Sequence, residues 1–163
     1  MLKVKLETTE VELALDVANK RFIGNLKMNK GFSYGYNKGL KGQLTDGFMG
    51  ALGEVAYAKA MNQFYNGSYT DNLERYTDSD FQNNIEIRTQ EKKNYNFLLI
   101  RPNEKKGKYI LIIKDNDKDF NFSIIGWFPF VDDMPERLTN FGHYDRPAAY
   151  KVDIKELYNI NDL

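Results

Sequence analysis

The chain contains no cysteine and only one histidine, His143, among its 163 residues. The lack of cysteine excludes disulfide scaffolds, thiolate zinc sites and cysteine nucleophiles. It also fits a reducing, intracellular compartment such as the cytoplasm. A single histidine excludes multi-histidine metal centres and HExxH metalloproteases. Any bound metal is therefore expected on oxygen ligands. Long apolar runs are missing too. Ile110-Leu111-Ile112-Ile113 is far shorter than the roughly 20 residues of a membrane span, so no membrane partner is expected. Met1-Leu2-Lys3-Val4-Lys5-Leu6 alternates apolar and charged residues and has no signal-peptide core. No P-loop, GxGxxG, GxSxG or EF-hand pattern occurs. There is no internal repeat or low-complexity tail.

Excess charge of either sign is also lacking, with 23 basic residues against 23 acidic ones. The total by itself argues against a nucleic-acid binder, but the distribution is polarised. Lys20 to Thr45 holds six bases and no acid, and Arg88 to Lys108 holds seven bases against Glu91 and Glu104. From Asp115 onward ten acids face five bases. A molecule polarised in this way can attract a polyanion with one face. Within the first third of the chain, Asn29 to Gln43 reads as a loop of glycine, tyrosine and lysine. There Lys30, Tyr34, Tyr36, Lys38 and Lys41 have the composition that grips phosphates and stacks on bases.

The length suggests one domain, at about 100–200 residues each. Leu2 to Leu6 alternates as a short strand. Thr9 and Glu12 have the spacing of a capping box, which predicts a helix over about Glu10–Lys27. Thr45 or Asp46 caps a second helix reaching about Asn62, with small residues at positions 50, 53, 56, 58 and 60 suited to close packing on a sheet. Beyond it lie candidate strands at Leu73–Tyr76, Ile85–Gln90, Tyr95–Arg101, Tyr109–Lys114, Phe120–Phe128 and Ala149–Val152, and a short helix within Asp132–Phe141. Two helices followed by a run of strands predict an α+β fold, with the helices packed on a central mixed sheet.

The chemistry concentrates between Asp78 and Gln90. In a strand, alternate residues share a face. Ile85, Ile87 and Thr89 point one way, into the core, while Glu86, Arg88 and Gln90 point the other way, with Asp80 at the preceding turn. Carboxylates on a hard divalent ion, beside a cation that meets a phosphate, can make a phosphodiesterase site. As a bland alternative, Glu86 and Arg88 form an ion pair on a solvated sheet face. His143 reads as a loop residue and Trp127 as part of the core.

This arrangement resembles the PD-(D/E)XK nuclease superfamily. Asp80 stands at the place of its first aspartate, Glu86-Ile87-Arg88 at (D/E)-x-K, and Thr89 at the Ser or Thr that follows. Gly50-x-x-Gly53-Glu54 is similar to the helical glycine–glutamate element of many members. Ile125-Gly126-Trp127-Phe128 and the segment from Ala149 to Leu157 are similar to the later strands of small members. The resemblance spans roughly residues 46–157 of a single domain covering 1–163. It implies a restriction-endonuclease-like fold and a metal-dependent DNA endonuclease. Its Mg2+ or Mn2+ would sit on Glu54, Asp80 and Glu86, with the Ile87 carbonyl as a further ligand. Arg88 would face the scissile phosphate and Gln90 would orient water or substrate. Lys92 and Lys93 would add DNA contacts or a displaced ammonium, and a homodimer is compatible. Arg88 departs from the pattern, because arginine stays protonated and cannot act as a base where the family has lysine. The alternative is an inactive nucleic-acid-binding or interaction module on the same fold.

Overall fold

The computed structural model describes residues 1–27, 39–65, 67, 79–91, 96–140 and 148–163. Strand β1 (Leu2–Lys5) leads into helix α1 (Thr8–Lys27), which is followed by helix α2 (Gly39–Ala60). Strands β2 (Ile85–Glu91), β3 (Phe97–Ile100), β4 (Gly107–Lys114), β5 (Asn121–Phe130), β6 (Leu138–Thr139) and β7 (Ala149–Asp153) complete the α+β fold. The strand expected at Leu73–Tyr76 lies outside the described residues. Short 3-10 turns occupy Pro135–Arg137, Ile154–Glu156 and Ile160–Asp162, so the helix expected near Asp132–Phe141 shrinks to a single turn.

Both helices start earlier than their sequence signals suggest. The N–H of Glu7, not of Thr9, is capped, donating to the Glu10 carboxylate at 2.7 Å. This is the reciprocal arm of a capping box set two residues upstream. Helix α2 begins at Gly39, so Gly39 to Gln43 are helical rather than part of the glycine-rich loop. Thr45, expected as a cap, lies inside the helix and returns its hydroxyl to the Lys41 carbonyl at 2.9 Å.

The strands form two sheets. A four-stranded mixed sheet runs β1-β5-β4-β2, with only the β4–β2 pair parallel, and a three-stranded antiparallel sheet runs β3-β7-β6. The reason for the second sheet lies in β4. Its run Tyr109–Ile112 is fully buried on both faces, as near-continuous apolar strands are. Ile110 and Ile112 join Ile85, Ile87, Phe122 and Ile124 beneath the helices. Tyr109 and Leu111 point the opposite way and pack with Leu98, Ile100, Tyr150 and Val152 of the second sheet. The molecule is thus layered as helices, large sheet and small sheet. Residues Ala51 to Ala58 of α2 are all buried, as expected of a helix enclosed on every side. Of its small residues, Gly53 meets the sheet and Gly50 has no neighbour within 4 Å of a built Cβ. Trp127 is partly buried against the main core. No helix among the described residues is long and apolar enough to cross a membrane.

Candidate active site at the outer edge of β2

Strand β2 ends the large sheet, so one of its edges has no strand partner in that sheet. Asp80 lies alongside it. Its Oδ2 accepts a hydrogen bond from the N–H of Ile87 at 2.7 Å. The intervening turn folds back on itself, with a bridge between Phe81 and Ile85. Asn83 and Asn84 hold it with φ of 63° and 56°, a left-handed conformation that asparagine tolerates better than most residues. Two contacts secure the turn. Lys108 N–H donates to the Asn84 carbonyl at 2.8 Å, and a Cβ on Gly107 would lie only 2.3 Å from that oxygen.

The alternation expected of β2 holds. Ile85 and Ile87 enter the core under the helices, and Thr89 meets Gly53 of α2. Glu86, Arg88 and Gln90 take the other face. Glu54 comes from the helix layer and Glu86 from the face towards the small sheet, and both act on Asp80. Burial, then the charge of Glu54, then that of Glu86, push the Asp80 carboxyl up to about 7. Burial also raises Glu86, against the pull of Arg88.

Glu54 is otherwise engaged. Arg21 of α1 forks onto it, Nη1 to Oε1 and Nη2 to Oε2, both at 2.7 Å. The Tyr65 hydroxyl donates to Oε2 at 2.8 Å. Burial opposes the charge on Arg21, but Glu54 outweighs it and holds the guanidinium above its ordinary pKa. Among the described residues no three acids form a group arranged to hold a metal ion. Glu54 gives both oxygens to its own neighbours, which leaves Asp80 and Glu86 of the three expected ligands to face an ion. The Ile87 carbonyl accepts from Arg88 Nη1 at 3.0 Å.

Arg88 also has partners. Its Nη2 lies 2.8 Å from Glu104 Oε2, and its Nη1 lies 3.7 Å from Glu86 Oε2. Its guanidinium carbon sits 5.0 Å from the centre of the Tyr109 ring. Burial works against the charge, yet Glu104 and Glu86 keep the group above its ordinary pKa. Gln90 is tied to the small sheet by Nε2 donating to the Phe97 carbonyl at 3.1 Å, and its Oε1 is buried without a partner. Lys41 is exposed in the first turn of α2. Lys30, Tyr34, Tyr36, Lys38, Lys92, Lys93 and His143 lie outside the described residues. Arg21, Tyr65 and Glu104 join the site without belonging to the sequence motif. Only Arg21 carried a signal, as a charge continuing the helical stripe Ala14–Val17–Ala18 that is buried beneath it.

The cluster combines four carboxylates, from Glu54, Asp80, Glu86 and Glu104, with the guanidinium groups of Arg21 and Arg88. Lys105 acts on Glu86 from the turn before β4. Acids outnumber bases in a half-buried setting, and the strain falls on Asp80. Only Asp80 and Glu86 remain as hard oxygen donors of the kind a divalent cation takes, and the described acids do not group in threes around one point. No family model, curated protein or solved structure matches the chain.

Proposed function

We propose that the chain is a metal-dependent DNA endonuclease of the PD-(D/E)XK type, acting at the outer edge of β2. The reading rests on one observation. Asp80 sits between the charges of Glu54 and Glu86, and burial together with those two charges holds its carboxyl near 7. Asp80 and Glu86 would hold Mg2+ or Mn2+, with Glu54 adding charge from behind. When bound, the ion lowers the pKa of water and neutralises charge on a phosphoryl oxygen. The chain's own residues supply the rest. Arg88 offers a fixed fork to the phosphate as charge grows on it. Glu104 and Glu86 keep that fork in place until DNA arrives. Gln90, anchored on Phe97, sets one wall of the site, and the exposed Lys41 adds backbone affinity.

Nicking of supercoiled DNA in the presence of Mg2+ or Mn2+ tests the reading. Wild type is expected to cleave, and Glu86→Ala and Asp80→Asn to be inactive while folded. Calorimetry is expected to detect Mn2+ binding by wild type and none by Asp80→Asn.

A second reading is favoured by the Arg21 fork on Glu54, since an arginine already sits where an ion's charge would. In that reading the fold is a nucleic-acid-binding module without cleavage. Salt-dependent DNA affinity with neither Mn2+ binding nor nicking would select it.

A further inference from the structure

A second feature lies on the other side of the Asn83–Asn84 turn. A cavity of about 390 Å³ opens there between the end of α2, the start of β2 and the C-terminal turn. That volume falls within the range of small-molecule sites. Its floor is apolar, formed by Ile85 and Ile160, which are both buried. Its rim carries three side-chain amides, from Gln63, Asn83 and Asn161. Lys108 stands on one side, with Nζ donating to the Leu163 carbonyl at 3.2 Å and lying 5.3 Å from the centre of the Trp127 ring. Tyr57 closes the inner wall. It is 0 % exposed and its hydroxyl has no hydrogen-bond partner.

We infer that this cavity receives one nucleobase of a nucleic-acid strand whose phosphate lies at Asp80 and Glu86; the inference rests on the nuclease reading above. Each side-chain amide presents a donor and an acceptor side by side, the arrangement that matches the edge of a heterocyclic base. Apolar side chains below accept its faces, as in pockets that hold an unstacked base. The placement also fits. Asn83 is three residues from both Asp80 and Glu86, so it lies within about 11 Å of each by chain reach, and a base and its own phosphate are separated on that scale. The left-handed turn therefore has two sides, one setting Asp80 against Ile87 and the other presenting Asn83 to the base.

The test uses the full chain, 15N-labelled, in EDTA so that no metal site takes part. Adenosine 5′-monophosphate and cytidine 5′-monophosphate are titrated against ribose 5-phosphate as the baseless control. The side-chain amide resonances of Gln63, Asn83 and Asn161 are expected to shift saturably with at least one nucleotide and to stay put with ribose 5-phosphate. Gln63→Ala and Asn161→Ala should each weaken that binding at least tenfold while keeping the folded spectrum. Equal shifts with the baseless sugar, no shifts at all, or unchanged affinity in either variant would overturn the inference. The two readings fail separately. Nucleotide shifts without any nicking leave the base pocket and remove the nuclease. Glu86-dependent nicking without nucleotide shifts does the reverse.

Discussion

Thr89 occupies the space that a side chain on Gly53 would need: a Cβ built there would lie 1.7 Å from Thr89 Oγ1 and 2.9 Å from its Cβ. The obstacle includes an atom fixed to the strand backbone, so rotation cannot clear it. Helix α2 rides on β2 through this contact, and Glu54 is the next residue. Gly53→Ala is therefore expected to destabilise the protein, although alanine improves helix propensity by about 1 kcal/mol. Overpacking costs about 1–3 kcal/mol, and here the upper end applies. The net loss, about 2 kcal/mol, should lower Tm by about 4–8 °C. Thr89→Ala in the same chain should restore part of it. Calorimetric scans of the three proteins decide the matter, and an unchanged Tm for Gly53→Ala would refute the contact.

The Arg21–Glu54 fork has a distinctive mutational signature. Glu54 is buried and Arg21 retains 23 % of its side-chain surface. Removing Arg21 takes the facing countercharge from the buried Glu54 carboxylate, at a cost of about 3–5 kcal/mol. Arg21→Met is expected towards the lower end, because the remaining exposure lets water in. Glu54→Leu in the same chain should recover most of the loss, since an apolar pair of similar volume is often no worse than a buried ion pair. A double-mutant cycle by urea denaturation measures the coupling. Additive losses would mean the two side chains do not depend on each other.

The Asp80 carboxyl makes stability fall as pH rises. Its pKa is raised when folded, to about 7 from its ordinary 3.8. Between those values the folded chain holds more protons than the unfolded chain, so raising the pH favours unfolding. Glu86 is raised too and adds in the same sense. Glu10 and Glu156 are lowered, with the opposite slope, but below their ordinary range near 4.5. Urea midpoints in EDTA should therefore decline from pH 5 to pH 8, and Asp80→Asn should flatten the decline. Comparing the two proteins also cancels any contribution of His143. A midpoint that climbs across this window in wild type would contradict the placement of Asp80.

Glu104 is expected to compete with nucleic acid for Arg88. Its carboxylate holds Nη2 at 2.8 Å, in the place a phosphate oxygen would take. Glu104→Gln should tighten DNA binding several-fold. Arg88→Ala should weaken it and lower the salt dependence by about one unit of slope, the loss of one phosphate contact. Fluorescence anisotropy at several salt concentrations reads both. Glu104→Gln binding more weakly than wild type would show the pair to be structural only.

How much of this could be read from the sequence differs by layer. The apolar run Ile110–Ile113 and the alternation of Ile85 to Gln90 carry their strands openly, because burial imposes a period on neighbouring residues. The start of α2 does not, because Gly39 and Gly42 look like loop residues until tertiary packing overrides their propensity. The division into two sheets is also hidden, since the pairing of Leu98 with Val152 joins segments that share no local signal. At the site, the parity of Glu86 and Arg88 was legible and their partners were not. Arg21 and Glu104 reach the cluster from distant segments, and only the fold brings them there.

Strand β1 pairs with β5, placing Leu2 opposite Ile124, roughly 120 residues later in the chain. On a ribosome the first strand made is thus among the last to find its partner. At about 5–20 residues per second, it waits about 6–24 s for β5 to be synthesised. The hairpin of α1 and α2 depends on nearer contacts and can form meanwhile, with the apolar side meant for the sheet still uncovered. A nascent chain paused before residue 121 should therefore hold helical structure, resist proteolysis poorly and engage chaperones. Release of β5 should keep the helices and end the other two conditions together.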